Sequence, residues 1–419
     1  MKSVLIGAAV SIVIATGSAY AQDAAGGAKS SDADAASLRD YVKRLEQRVS
    51  ELEREKEWPP AETRGPATSA LEQAVRSVNL TGYMEFIYSY NLRPGPAVPG
   101  RRGDALNFNQ LRGPDADAYG FSFQNVELLA DKPLTTGGST GFHVRTSYGI
   151  DGEVAHADPN FDGGAGNNAF DVREAFMSWR APFAPTGHAD LSVGKFRTPL
   201  GFEVLENTDN WQITRNPIAV FGTPVTNTGA RASVPVTETF TANVCLVNGW
   251  DDVRDANSGK TGIANLVFGR FDSVLSSQVQ VNASYGTASG DVPGGDKLRF
   301  FEVVWDGKFD DETEFALDGI WGDASDHAWH GAAAYVRRHM SGKLWISGRA
   351  GWYADDAIAA DGARIVDGTV AAGCDVASGL TVALEYRHDF SRSEGTYLSS
   401  SGGPAENQDT LTASFLYRF

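Results

Sequence analysis

The chain has 419 residues and a formal net charge of −17, with 53 Asp and Glu against 36 Lys and Arg. That acidity argues against nucleic acid or an anionic membrane surface as partner, and the absence of a GxGxxG loop, a P-loop or an HExxH motif removes the commonest dinucleotide, nucleotide and zinc chemistries. Beyond the N-terminus no window approaches the roughly 20 apolar residues of a membrane helix, but a membrane barrel escapes that criterion, because half of each strand faces an aqueous lumen.

In chain order, Lys2, the apolar run Val4–Ala15 and the Ala19-Tyr20-Ala21 step read as a secretory signal peptide over residues 1–21. Residues 22–37 are mostly Ala, Gly, Ser and Asp and form a flexible linker. Leu38, Val42, Leu45, Val49 and Leu52 then step by four and three. This is the seam of a short periplasmic coiled coil over 38–56, or else of a lone solvated helix. Pro59 and Pro60 end it, and 57–77 is a second linker. A seam this short is marginal alone, so a homo-trimer is the expected state.

From residue 78 to 419 the period is two. Leu80, Met84, Phe86, Tyr88 and Tyr90 alternate with Thr81, Glu85 and Ser89; Phe142, Val144 and Tyr148 alternate with His143, Arg145 and Ser147; Leu380, Val382, Leu384 and Tyr386 alternate with Glu385, Arg387 and Asp389. One face is oily and the other charged, which places Glu85, Arg145, Arg231, Arg349, Glu385 and Arg387 on the inner wall. Such a set favours anions weakly in the bore. Segmenting the chain this way gives about sixteen strands, with connections expected to alternate strictly between long and short. Most of the net negative charge falls on the long ones. The closing strand carries Leu411, Ala413, Phe415, Tyr417 and Phe419 on one face. Trp179, Trp305, Trp345 and Trp352 suit aromatic girdles at the two interfaces. The expected fold is all-β, a transmembrane antiparallel β-barrel with a short N-terminal coiled-coil helix.

The alternation stops at "GKFRTPLGFEVLENTDNW", Gly194–Trp211, and resumes near Thr228. This is the third and, by that segmentation, the longest long connection, and Pro199 and Gly201 let the chain leave the wall. If it turns inward it narrows the pore, with Lys195 and Arg197 facing Glu203, Glu206 and Asp209 across the opening and Arg215 nearby; otherwise these charges solvate an extracellular loop. Gly194, Lys195, Phe196, Gly201, Glu203, Asn210 and Arg215, followed by Thr228-Gly229 and Asn248-Gly249-Trp250, resemble the OmpL-like family of β-barrel porins. The phosphate-selective porin family has a similar step and is the nearest alternative. The likeness covers most of residues 78–419, and "WQITRNP" departs from the Ser-rich run expected there.

No catalytic, metal or cofactor site is expected. Asp158, Asn160, Asp162 and Gly163 match half of a calcium loop, but Ala169 stands where the bidentate Glu belongs. The seven His residues are scattered. Strand parity aims Cys245 and Cys374 to opposite sides of distant strands, so both are expected to be free. The function expected is a porin in the outer membrane of a Gram-negative-type bacterium, with the N-terminal segment periplasmic, passing small hydrophilic solutes or ions by diffusion. Outer-membrane lipid and lipopolysaccharide are its expected surroundings. Two alternatives are a non-conducting structural or adhesive barrel and a secreted soluble all-β enzyme.

Overall fold

The protein is described here by a computed structural model, which covers residues 77–419 apart from 94, 96–108, 136–138, 155–168, 184–186, 256–257, 270–275, 288–296, 325–326 and 359–361. The expected signal peptide, first linker and coiled coil, and the half-calcium motif at 158–163, lie outside the described residues.

Sixteen antiparallel strands close a barrel. In chain order they are β1 (Asn79–Asn91), β2 (Gly120–Lys132), β3 (Thr140–Tyr148), β4 (Phe170–Phe183), β5 (Gly187–Arg197), β6 (Thr226–Thr237), β7 (Phe240–Val247), β8 (Thr261–Gly269), β9 (Ser276–Thr287), β10 (Lys297–Lys308), β11 (Thr313–Ala324), β12 (His327–His339), β13 (Leu344–Asp355), β14 (Ala363–Ala377), β15 (Leu380–Phe390) and β18 (Asn407–Arg418). A two-stranded ribbon, β16 (Tyr397–Leu398) with β17 (Pro404–Ala405), decorates the last long connection, and one short helix, α1 (Ile150–Val154), follows β3. Each barrel strand pairs with its sequence neighbours, and β18 pairs with β1 in a register that sets Phe415 opposite Phe86. The closure extends to the last residue, where Gly82 and Phe419 exchange main-chain hydrogen bonds of 3.0 and 2.9 Å. A closed ladder leaves no strand edge unpaired, which hydrocarbon requires.

Alternation sets the two faces. Leu80, Phe86, Tyr88 and Tyr90 of β1 are exposed on the outer wall, whereas Tyr83, Glu85, Ile87, Ser89 and Asn91 are buried. The outer wall is apolar because lipid solvates it; the inner wall holds the groups that need hydrogen-bond partners.

Four expectations need correction. The alternation of connections is not strict, since β11 and β12 are joined by 325–326 alone. There, Gly322, Asp323 and His327 extend the ladder instead of the connection. The run after β5, 198–225, is equal in length to the run after β1, 92–119, rather than the longest. Trp345 is not a girdle residue: it lies on the same face of β13 as Ser347 and Arg349 and packs against Ile87, Ile213 and Ala383 inside the wall, whereas Trp179, Trp305 and Trp352 are exposed outside. Finally, the inner wall is not uniformly charged. On β5, β7, β8 and β10–β13 it carries Phe196, Cys245, Val247, Ile263, Phe300, Ile320, Trp329, Tyr335 and Tyr353, which form one buried apolar cluster with Leu200 and Ile218. Cys245, in that cluster, and Cys374 are both free.

Candidate functional site

The 198–225 connection starts from two backbone positions that only glycine fills easily. Gly194 has φ +141, and a Cβ there would lie 2.2 Å from the Ala175 carbonyl oxygen; Gly201 has φ +92. The ends of the connection are tied together, with the Thr198 amide donating to the Val225 carbonyl at 3.2 Å. The Asp251 carboxylate accepts from the Val225 amide at 3.0 Å and the Thr226 amide at 2.7 Å. Burial of Asp251 outweighs these donors and raises its pKa to about 6.

Within the connection, polar side chains satisfy the irregular backbone. The Asn210 amide donates to the carbonyls of Val204 at 2.6 Å and Glu206 at 2.9 Å, and its oxygen accepts from the Val204 amide at 3.0 Å. Arg215 donates to three carbonyls: Val204 at 2.5 Å, Leu205 at 2.6 Å and Ile213 at 2.9 Å. Glu203 accepts from the Asn216 amide at 2.7 Å. A five-residue π-turn, Ile218–Gly222, completes the run, and the Trp329 indole donates to the Gly222 carbonyl at 3.0 Å.

The wall grips this run with both charge signs. Glu302 of β10 accepts from the Gly201 amide at 3.0 and 2.9 Å through its two oxygens. Glu385 of β15 accepts from the amides of Ile213 at 2.6 Å and Thr214 at 3.1 Å. Arg349 of β13 donates to Glu203 at 2.8 Å and to the Thr214 carbonyl at 2.7 Å. Arg387 of β15 donates to the Arg215 carbonyl, and Glu85 of β1 accepts from Asn207 at 2.7 Å. Wall carboxylates thus take the N–H groups of Gly201, Ile213 and Thr214, and wall guanidiniums take the C=O groups of Thr214 and Arg215.

The six residues expected at a constriction divide into separate contacts. Arg197 does meet the acidic side, at 3.5 Å from Glu206 and 3.1 Å from Asp209, but as direct ion pairs. Lys195 instead pairs with Asp171 of β4 at 3.2 Å, Glu203 with Arg349, and Arg215 with main-chain carbonyls. A free transverse field of Lys195 and Arg197 against the three acids is therefore not what these contacts build. The inner-wall arginines are similarly engaged: Arg145 with Glu127 at 2.8 Å and Glu174 at 2.9 Å, Arg349 with Asp367 at 2.7 Å, Arg387 with Asp389 at 2.8 Å. Arg231 covers the rings of Phe176 and Phe196. Arg145, Arg349 and Arg387 thus meet carboxylates, as buried charges require, whereas Arg231 lies over aromatic rings.

Residues not anticipated from the sequence include Asp367, Glu127, Glu174, Asp171 and Arg173 on the strands. Asp367-Gly-Thr369 alternates as plainly as Glu385-Tyr-Arg387, but Asp171, Arg173 and Glu174 do not share one parity, because β4 carries a bulge opposite Arg145 and Thr146. Arg112 and Asp115, from the connection after β1, carry no such signal. Arg112 donates to Asp389 at 2.6 Å and Asp115 at 2.6 Å. Burial works against its charge, but the two carboxylates more than offset this and raise its pKa.

Several cavities border the 198–225 run, among them one of about 310 Å³ that touches it at Trp211 and three that follow it between the long and the short connections. One of about 230 Å³ is bordered by Gly113, Arg173, Arg197, Val220 and Asp251, toward the long connections. One of about 190 Å³ is bordered by Trp211, Gln212, Arg337, Trp345 and Arg418, toward the short turns. Between them, a space of about 10 Å³ shares Pro114 and Arg215 with the first and Asn207 and Ile213 with the second.

Residues 77–419 match a family model described as "Putative beta-barrel porin-2, OmpL-like". No curated protein sequence matches the chain. Among solved structures, the barrel is similar to Pseudomonas putida OprB, with 11% identity, a TM-score of 0.57, and coverage of 84% of this chain and 97% of that one. It is also similar to the anion-selective porin from Comamonas acidovorans, with 11% identity, a TM-score of 0.54, and coverage of 82% and 99%. The outer membrane channel DcaP of Acinetobacter baumannii gives 11% identity, a TM-score of 0.52, and coverage of 82% and 97%. At these identities the three structures speak for the fold, whereas the family match spans most of the chain. The chain belongs to the OmpL-like β-barrel porin-2 family.

Proposed function

We propose that the protein is an outer-membrane porin that passes small hydrophilic solutes or ions by diffusion, and that residues 198–225 narrow its bore. The observation that carries this reading is the set of hydrogen bonds from residues 201–216 to Glu302, Arg349, Glu385 and Arg387 on strands far along the chain. Cavities of about 230 and 190 Å³ on either side of that segment supply the vestibules of a constricted pathway. Pore width and lining charge select solutes in such a channel, and no energy source or chemical step is needed. The same reading places the coiled-coil seam in the periplasm as the element that gathers three copies. It also places the acidic long connections beside lipopolysaccharide, where divalent cations bridge carboxylate and phosphate.

The test is the conductance of purified, refolded protein in planar bilayers. Stepwise ion current supports the proposal. One observation favours the alternative of a non-conducting structural barrel: the space that shares lining residues with both vestibules is only about 10 Å³. A folded, heat-modifiable barrel that carries no current would establish that alternative.

A further inference from the structure

We infer that the neck between the two cavities is a binding site for a single small cation, in particular a primary ammonium group. Three residues that border this space each carry a buried oxygen without a hydrogen-bond partner among the described residues: Asp115 Oδ1, Gln124 Oε1 and Asn207 Oδ1. Asp115 and Gln124 are 4% and 2% exposed, so bulk water does not reach them freely. The opposite end of each group is occupied, which fixes these atoms as acceptors. Asp115 Oδ2 receives Arg112 at 2.6 Å. The Gln124 amide donates to Asp151 at 2.5 Å and to the Pro114 carbonyl at 3.1 Å. The Asn207 amide donates to Glu85 at 2.7 Å.

Among the described lining residues, the one cationic side chain, Arg215, directs all three of its nitrogens to main-chain carbonyls rather than to these oxygens. The remaining lining groups are the Asp151 carboxylate, Pro114 and the apolar Ile87 and Ile213. The lining carries two carboxylates and one guanidinium, and Arg112, paired with Asp115, balances the second carboxylate, so the open acceptor oxygens rather than net charge carry the selection. A space near 10 Å³ admits one water-sized particle. Water donates only two hydrogen bonds, whereas an ammonium group donates three to three acceptors, each charge-assisted. A desolvated alkali ion shares that chemistry. The neck is assembled from three connections and two strands: Asp115 after β1, Asp151 after β3 and Asn207 after β5, with Ile87 of β1 and Gln124 of β2.

This inference rests on the porin reading only for its consequence, that ammonium-bearing solutes are the class selected at the neck. Its test is calorimetric titration of the full chain in detergent with methylammonium chloride, and with tetramethylammonium chloride at equal ionic strength. Saturable binding of methylammonium alone is the expected result. Gln124→Met and Asn207→Leu, each removing one acceptor, should weaken it about tenfold, or about 1.4 kcal/mol. Asn207 lies outside the strand ladder, so its variant reads the site even if the Gln124 variant does not fold. Competition by K⁺ at similar concentration assigns the site to free alkali ions, and its absence to organic ammonium. No saturable binding, equal binding of the two ammonium salts, or unchanged affinity in the Asn207 variant would overturn the inference. Because binding in detergent requires no current, a protein that binds methylammonium without conducting refutes the porin reading alone.

Discussion

Arg349→Met tests whether wall charges hold the 198–225 run in place. The guanidinium is fully buried and makes four contacts: Asp367 at 2.7 Å, Glu203 at 2.8 Å, the Thr214 carbonyl at 2.7 Å and the Thr369 hydroxyl at 3.0 Å. Methionine keeps much of the stem and removes the charge. Glu203 then retains only the Asn216 amide, and Asp367, one of whose oxygens already has no hydrogen bond, is left with Thr369 at 3.4 Å. Breaking a buried pair in this way costs about 3–5 kcal/mol. At about 1.4 kcal/mol per factor of ten, the ratio of anchored to released segment falls by about 100- to 4,000-fold. The β13 main-chain ladder is untouched, so the variant should still migrate as a folded, heat-modifiable barrel. Single-channel recording should show a larger mean conductance and larger open-channel noise. Adding Glu203→Gln to the variant removes one of the two orphaned charges and should recover part of the lost anchoring, a non-additivity expected of groups in one network. Wild-type noise and conductance in a folded Arg349→Met protein would refute the anchoring argument.

Gly194→Ala should cost more than the usual strand glycine, because its Cβ would meet the Ala175 oxygen at 2.2 Å at a φ of +141. A loss of about 1–3 kcal/mol is expected, read as a lower midpoint in urea-gradient folding assays. Brominated lipid should quench single-Trp proteins retaining Trp179, Trp305 or Trp352 and spare one retaining Trp345, which packs inside the wall. Asp251 supplies a pH signature. Its pKa is raised by burial from 3.8 to about 6, so the folded state favours the protonated form. Stability associated with it is full below the unfolded value near 3.8 and is lost as pH rises through about 6. Wild type should therefore gain about 1 kcal/mol relative to Asp251→Asn between pH 7 and pH 5 in thermal unfolding.

Much of the barrel was legible because lipid and lumen impose opposite demands on alternate residues. Leu384 and Tyr386 outside against Glu385 and Arg387 inside is a pattern that a single strand already displays. The legibility failed where the inner face is not wet. Ile263, Phe300 and Ile320 face inward against Leu200 and Ile218, so apolar residues there carried no information about which side faces lipid. Trp345 was misplaced for the same reason, as an aromatic near a strand end suits either face. The candidate site was half legible. Gly194, Gly201, Asn210 and Arg215 marked the 198–225 run, but the partners of its charges are set by register between strands far apart in sequence. That Lys195 meets Asp171, and Glu203 meets Arg349, follows only once the ladder is closed.

The most direct test of the central claim is planar-bilayer conductance of a variant lacking residues 203–211, compared with wild type under identical salt. Removing Glu203 through Trp211 eliminates the contacts to Arg349, Glu85, Arg197 and Ser347 while leaving every barrel strand intact. Stepwise currents in both proteins, larger in the deletion variant, are predicted. Equal conductance in two folded barrels would place the segment outside the ion path and contradict the account.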